Sequence, residues 1–209
     1  MTSDLTAAMQ AVTSAIAGYS PDWVSEAGLD LEEGFCITLV RGVGPRGALR
    51  RLGVGDAALR TATWLEFTAQ LRERELSRDI PVAVAAFVMG EYTVLVEDFG
   101  YRGQLPEWAG PVSRGSEAVN VYRSPISLKE ELSIFRDGEQ VAFIDGDEPD
   151  LVEGDDAELA GRLAKQTFDA RKLRNGRVDL LQVACGYLGL RPEVPDVSGP
   201  VLGALAEYR

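Results

Sequence analysis

The feature that most narrows the fold is the stretch from Ile80 to Ile144, which reads as strands joined by two tight turns. Pro81–Met89 and Tyr92–Phe99 flank Gly90-Glu91, and Lys129–Arg136 and Glu139–Ile144 flank Asp137-Gly138. Asp-Gly between two apolar runs signals a type I′ hairpin, because both residues tolerate positive φ. Ala118–Tyr122 reads as a further strand, and the β-branched and aromatic run Phe35–Arg41 as another. Pro81–Met89 is apolar throughout, which places it centrally with both faces covered. Hairpins impose antiparallel pairing. The expected architecture is α+β: an antiparallel sheet of about five or six strands, with helices on one face and a helical C-terminal region.

The helices follow from periodicity. Leu5, Met9, Val12, Ile16 and Tyr19 lie on one helical face, with Thr2 or Ser3 as N-cap. This face packs on the sheet or, alternatively, forms a homodimer seam. Pro45–Leu52 reads as a short helix stopping at Gly53. Ala58–Leu76 reads as a longer one, with Leu59, Thr63, Phe67 and Leu71 along one face and Trp64 beside them. Asp156–Arg174 carries acids at its start and Arg171, Lys172 and Arg174 at its end, as the helix dipole favours. Asn175-Gly176 stops it, Val178–Leu188 follows, and a last short helix is expected at Val201–Tyr208. With 209 residues, 45% of them hydrophobic, the chain can build one core. One domain is expected over 1–209, with an N-terminal amphipathic helix at 1–20, the sheet at 35–144 and the helical region at 156–209.

Composition removes several functions. There is no histidine, so the commonest general base and the commonest metal ligand are missing. A net charge of −12 repels phosphate backbones and anionic lipid. The expectation is no nucleic acid, no membrane, and either plain solubility or a basic protein partner. Cys36 and Cys185 sit among apolar neighbours and read as buried thiols. Two cysteines without histidine cannot make a zinc site. The N-terminus lacks the basic start of a signal peptide, and no apolar run is long enough to span a bilayer, so a cytoplasmic location is expected.

Three segments could carry function. Gly42-Val43-Gly44-Pro45-Arg46-Gly47 matches G-x-G-x-x-G, but the helix after it is short and no acid stands where a ribose hydroxyl would need one. A turn with Pro45 in the first helical turn is the simpler reading. From Asp137 to Glu158 the chain has ten acids and no Lys or Arg. Asp145, Asp147, Glu148 and Asp150 could hold a hard cation or steer a basic partner, although Pro149 and Asp150 stand where an EF-hand loop needs a ligand and a glycine. Phe99-Gly100-Tyr101-Arg102-Gly103, followed by Trp108, supplies residue types that anchor interfaces. Otherwise, Phe99 and Trp108 plug the sheet end. No G-x-S-x-G, S-x-x-K or Walker lysine is present.

Two sets of segments carry a resemblance. Phe35-Cys36-Ile37-Thr38-Leu39-Val40-Arg41-Gly42, Pro45 and Leu49-Arg50-Arg51-Leu52-Gly53 form the first. Glu97-Asp98-Phe99-Gly100-Tyr101-Arg102-Gly103, Leu105, Ser113–Val119 and Phe135–Glu139 form the second. Together they resemble an actinobacterial domain family of unknown function over roughly Trp23 to Ile144. The chain departs from that pattern in a longer charged insertion around Thr61–Asp79. The resemblance implies one α+β domain and brings no activity or catalytic residues.

The functional expectation is a non-catalytic interaction module, immunity-like or regulatory, that masks a basic partner without cofactor or metal. Tyr101, Arg102 and Trp108 would anchor the partner, and Asp145, Asp147, Glu148 and Asp150 would steer it. The alternative is a small-molecule or metal-dependent enzyme or binder using acids at the sheet end.

Overall fold

A computed structural model describes residues 34–74, 81–98, 100–124, 126–127, 129–173, 179–190 and 199–207. The expected helix at 1–20 and Phe99 lie outside them. Among the described residues nine strands form one sheet: β1 (Phe35–Arg41), β2 (Arg60–Ala62), β3 (Pro81–Met89), β4 (Tyr92–Asp98), β5 (Glu117–Arg123), β6 (Glu130–Arg136), β7 (Glu139–Asp145), β8 (Val152–Glu153) and β9 (Val201–Glu207). The order is β2-β9-β3-β4-β1-β5-β6-β7-β8, and every neighbouring pair is antiparallel. The helices are α1 (Pro45–Arg51), α2 (Trp64–Arg74), α3 (Pro106–Ser113), α4 (Ala157–Leu173) and α5 (Leu180–Leu188).

The expected α+β class holds, with more strands than expected. Both hairpin turns form where the sequence places them. Asp137 and Gly138 take φ 48° and 99°, as a type I′ turn requires, and Gly90 takes φ 60° at the first central position of the other. Short β2 and β8 close the two edges, which limits pairing with other chains.

Helices cover both faces of the sheet rather than one. On the first face Ile37, Leu39, Val94, Val96, Val121 and Ile134 pack with Trp64 and Phe67 of α2, Leu159 and Leu163 of α4, and Leu181 and Ala184 of α5. On the second, Val40, Val84, Leu95 and Ala118 pack with Ala48 and Leu49 of α1, Leu52, and Val112 of α3. The reason lies in alternation: β1 is buried from Phe35 to Val40, so successive side chains enter two different cores.

Two expected helices change. The helix expected from Ala58 begins at Trp64. Thr63 and Glu66 form a capping box there: the Thr63 N–H donates to Glu66 Oε2 at 2.7 Å, and the Glu66 N–H donates to Thr63 Oγ1 at 3.2 Å. Leu59, read as part of that helical face, packs instead with the second core. The helix expected at Val201–Tyr208 is the strand β9, inserted between β2 and β3. Val201 joins the first core and Ala204 the second, so the run is apolar on both sides and has no helical stripe. Gly203 leaves room for its neighbours: a Cβ there would lie 2.5 Å from the Val84 carbonyl oxygen and 2.8 Å from the Phe67 ring.

Phe67 is fully buried where α2 crosses β3 and β9. Phe67→Ala is expected to cost about 3–5 kcal/mol, read as a lowered urea midpoint with an unchanged m-value.

Candidate functional site

The register of the sheet gathers polar side chains on its second face, at the Phe35 end of β1. Cys36 lies opposite Glu97 on β4 and Tyr122 on β5; Tyr122 lies opposite Glu131, and Glu131 opposite Asp145. The next row on that face is Leu95, Thr38, Asn120, Ser133 and Phe143. Directly opposed residues share a face, so these two rows form one surface.

Its inner part is buried and hydrogen-bonded. Glu97, only 1% exposed, accepts from the Gly103 N–H at 2.8 Å and the Arg102 N–H at 3.1 Å. Its carboxylate thereby holds the 3-10 turn Arg102–Gln104 against the sheet. Asn120 Nδ2 donates to Thr38 Oγ1 at 2.9 Å, Cys36 Sγ at 3.1 Å and the Ile37 carbonyl at 3.3 Å. Burial pushes the Cys36 thiol well above its usual range, and the neighbouring Glu97 carboxylate adds to the shift. Cys36 is therefore a packed thiol and lacks the thiolate character of a nucleophile.

The turn separates the residues expected to act together. Arg102 is 6% exposed; its guanidinium lies 4.3 Å from the Trp108 ring centroid and donates to the Leu52 carbonyl at 3.3 Å. It is thus an interior fastener and not a surface contact. Trp108 is half-buried against the second core and covers Gly53, where a Cβ would come within 2.3 Å of the indole. Tyr101, 45% exposed, is the residue of this group that faces outward.

The acidic turn comes to the same place. Lys129 Nζ sits 2.6 Å from Asp145 Oδ2, and this hydrogen bond holds the Asp145 carboxyl below its usual range. Asp145 Oδ1 also accepts from the Asp147 N–H at 2.9 Å, shaping the turn. Asp147, Glu148 and Asp150 are exposed. Gln104, in the Arg102–Gln104 turn, donates to Glu131, which is cross-strand from Asp145. The aromatic loop and the acidic turn therefore flank one surface, although some forty residues separate them in sequence. Among the described residues no three Asp, Glu or Cys side chains converge as a cation site. No helix among them is long and apolar enough to cross a membrane.

Sequence reasoning missed Tyr122, Glu131 and Phe143, which link the two segments. Alternation along β5, β6 and β7 places them on one face; only the register places them beside one another. The Gly42–Gly47 segment does lie between a strand and a helix, but antiparallel neighbours on both sides of β1 rule out the βαβ unit of a dinucleotide fingerprint.

Residues 13–175 match a family of unknown function (DUF6461). The chain belongs to that family. The matched region runs through the polar rows, the 3-10 turn and the acidic turn of this DUF6461 member. No curated protein and no solved structure matches the chain.

Gly103 rests on the buried cluster: a Cβ there would meet Thr38 Oγ1 at 2.2 Å, Asn120 Nδ2 at 2.8 Å and Cys36 Sγ at 3.0 Å. Gly103→Ala is expected to destabilise the fold by about 1–3 kcal/mol, measured by urea unfolding. The raised Cys36 pKa gives a second expectation. The unfolded thiol ionises from about pH 8.5, where the folded thiol keeps its proton. Stability contributed by this group is thus present below that pH and lost as pH rises. In a Cys185→Ser background, thiolate labelling at pH 8 should follow global unfolding, and the loss of stability between pH 8 and 10 should shrink in Cys36→Ala.

Proposed function

We propose that this protein is a non-catalytic interaction module that binds and masks a basic protein partner. The single observation that carries this reading is the convergence of Tyr101, Tyr122 and Phe143 with Glu131, Asp145, Asp147 and Glu148 at one end of the sheet. Aromatic side chains supply contact area at low entropic cost, and surrounding carboxylates attract and orient a cationic surface. Tyr101 is the anchor, held by a turn that Glu97, Arg102 and Trp108 fasten from beneath. Asp145, Asp147, Glu148 and Asp150 form the steering rim. The chain's net charge of −12 extends that attraction beyond the contact itself. In cellular terms this fits a cytoplasmic regulatory or immunity-like protein.

The test combines partner capture with kinetics. Wild-type protein and a variant carrying Asp145→Asn, Asp147→Asn, Glu148→Gln and Asp150→Asn are immobilised at low salt. A partner released by a salt gradient is then measured against both. The expected outcome is association slowed about tenfold in the variant, with a flatter salt dependence. Tyr101→Ala should raise the dissociation rate, weakening binding by about 2 kcal/mol. Equal rates and salt slopes for wild type and the neutralised variant would remove the steering role.

A further inference from the structure

At the opposite end of β1 the surface has a different character. A concave pocket of about 440 Å³ is lined by Arg41, Gly42, Val43, Arg51, Arg114, Gly115, Ser116 and Glu117. Its size falls in the range of small-molecule sites, roughly 300–1,000 Å³. Its lining draws arginines from three separate segments, in a chain where acids outnumber basic residues 33 to 21.

Two of the three arginines are held in place, Arg51 by backbone carbonyls and Arg41 by a hydroxyl and a carboxylate. Arg51 Nη1 donates to the carbonyls of Val112 at 3.1 Å and Arg114 at 2.9 Å, at the end of α3. Arg41 Nε donates to the Tyr92 hydroxyl at 3.1 Å, with Glu91 3.4 Å away as its one ion-pair partner among the described residues. Arg114 is exposed and its guanidinium makes no hydrogen bond or ion pair among the described residues. The acid in the lining, Glu117, is already committed: its Oε2 receives Arg136 Nε at 2.7 Å and the Tyr187 hydroxyl at 2.9 Å. Among the described residues, Arg51 and Arg114 thus have no carboxylate partner, whereas Arg41 is paired with Glu91.

The walls between the arginines are bare backbone. Gly42 and Gly115 both take positive φ, 65° and 67°, and a Cβ at either would meet nothing within 4 Å. The turn carrying Gly115 is fixed, since its N–H donates to Asp137 Oδ1 at 2.9 Å, and Ser116 Oγ donates to the Arg41 carbonyl. A rigid rim, open floor and forked cationic donors are what recognition of an oxyanion needs.

We infer that this pocket binds a small phosphate-bearing molecule, with Arg114 and Arg41 as direct ligands of the phosphate and Arg51 as the charge behind them. The site is independent of the acidic surface at the other end of β1, and neither reading requires the other.

The test is calorimetric titration of the full chain with inorganic phosphate, pyrophosphate and citrate, each at matched ionic strength in sodium chloride. Saturable one-to-one binding of pyrophosphate is expected, tighter than of phosphate. Arg114→Gln should weaken it at least tenfold, and Arg41→Gln/Arg114→Gln should abolish it. Arg46→Gln, an exposed arginine paired with Asp56 outside the pocket, should leave it unchanged. Both Arg114→Gln and Arg46→Gln alter exposed side chains, so thermal melts should show both folded. Absence of saturable binding to pyrophosphate, equal loss in Arg46→Gln, or tighter binding of citrate than of pyrophosphate would overturn the assignment.

Discussion

Strand β1 buries side chains on both faces, and much of the molecule answers that constraint. Cys36, Ile37, Leu39 and Val40 are all shielded from water, two toward each side. A sheet whose central strand is apolar on both faces needs two roofs. Helices α2, α4 and α5 supply one, and the short α1 and α3 supply the other. Burying each of these side chains contributes about 1.5–3 kcal/mol, so neither roof is dispensable.

Among the described residues the second roof changes character along β1, and the polar rows lie where it does. Helices α1 and α3 cover the Arg41 half of the face, and the 3-10 turn Arg102–Gln104 lies over the Phe35 half. Such a turn has few apolar atoms, and its N–H groups would be left without partners beneath it. Glu97 resolves that by accepting two of them, and Arg102 resolves the cost of its own burial through the Trp108 face and the Leu52 carbonyl. A buried charge is tolerated when its hydrogen bonds are met, and here the backbone of the turn meets the Glu97 carboxylate while the Leu52 carbonyl and the Trp108 ring meet the Arg102 guanidinium. The Glu97–Gly103 segment is thus chiefly architecture, and the outward Tyr101 is what that architecture presents.

The sequence made the hairpins legible because their turns carry a local steric signature: Asp137-Gly138 needs no tertiary partner to bend as it does. The strand Phe35–Arg41 and helix α1 were equally readable, one from β-branched density and the other from Pro45 and Gly53. Failures came where a residue's partner lies far away in the chain. Val201–Glu207 became a strand because β3 offers an unpaired edge and Phe67 fits over Gly203, neither of which is a local property. Leu59 fell on the expected helical face by spacing alone, yet Thr63 and Glu66 start the helix after it. At the candidate site, the sequence singled out Tyr101, which is exposed, and Arg102, which lies buried over an indole. Composition cannot tell an arginine that meets a partner from one that lies over an indole.

The placement of β9 also bears on how the chain reaches this state. Strands β3 to β7 are neighbours through short links or through β1, and they can pair early. The inner edge of β3 remains exposed until Val201–Glu207 arrives, because β9 is the strand that pairs Val82 to Ala86 on that side. Loop closure over so long a separation carries an entropic cost that delays the step. During synthesis an apolar strand edge would then stay open until Val201–Glu207 has left the ribosome. That interval, more than any weakness of the finished fold, is when the protein is most exposed to association with other chains.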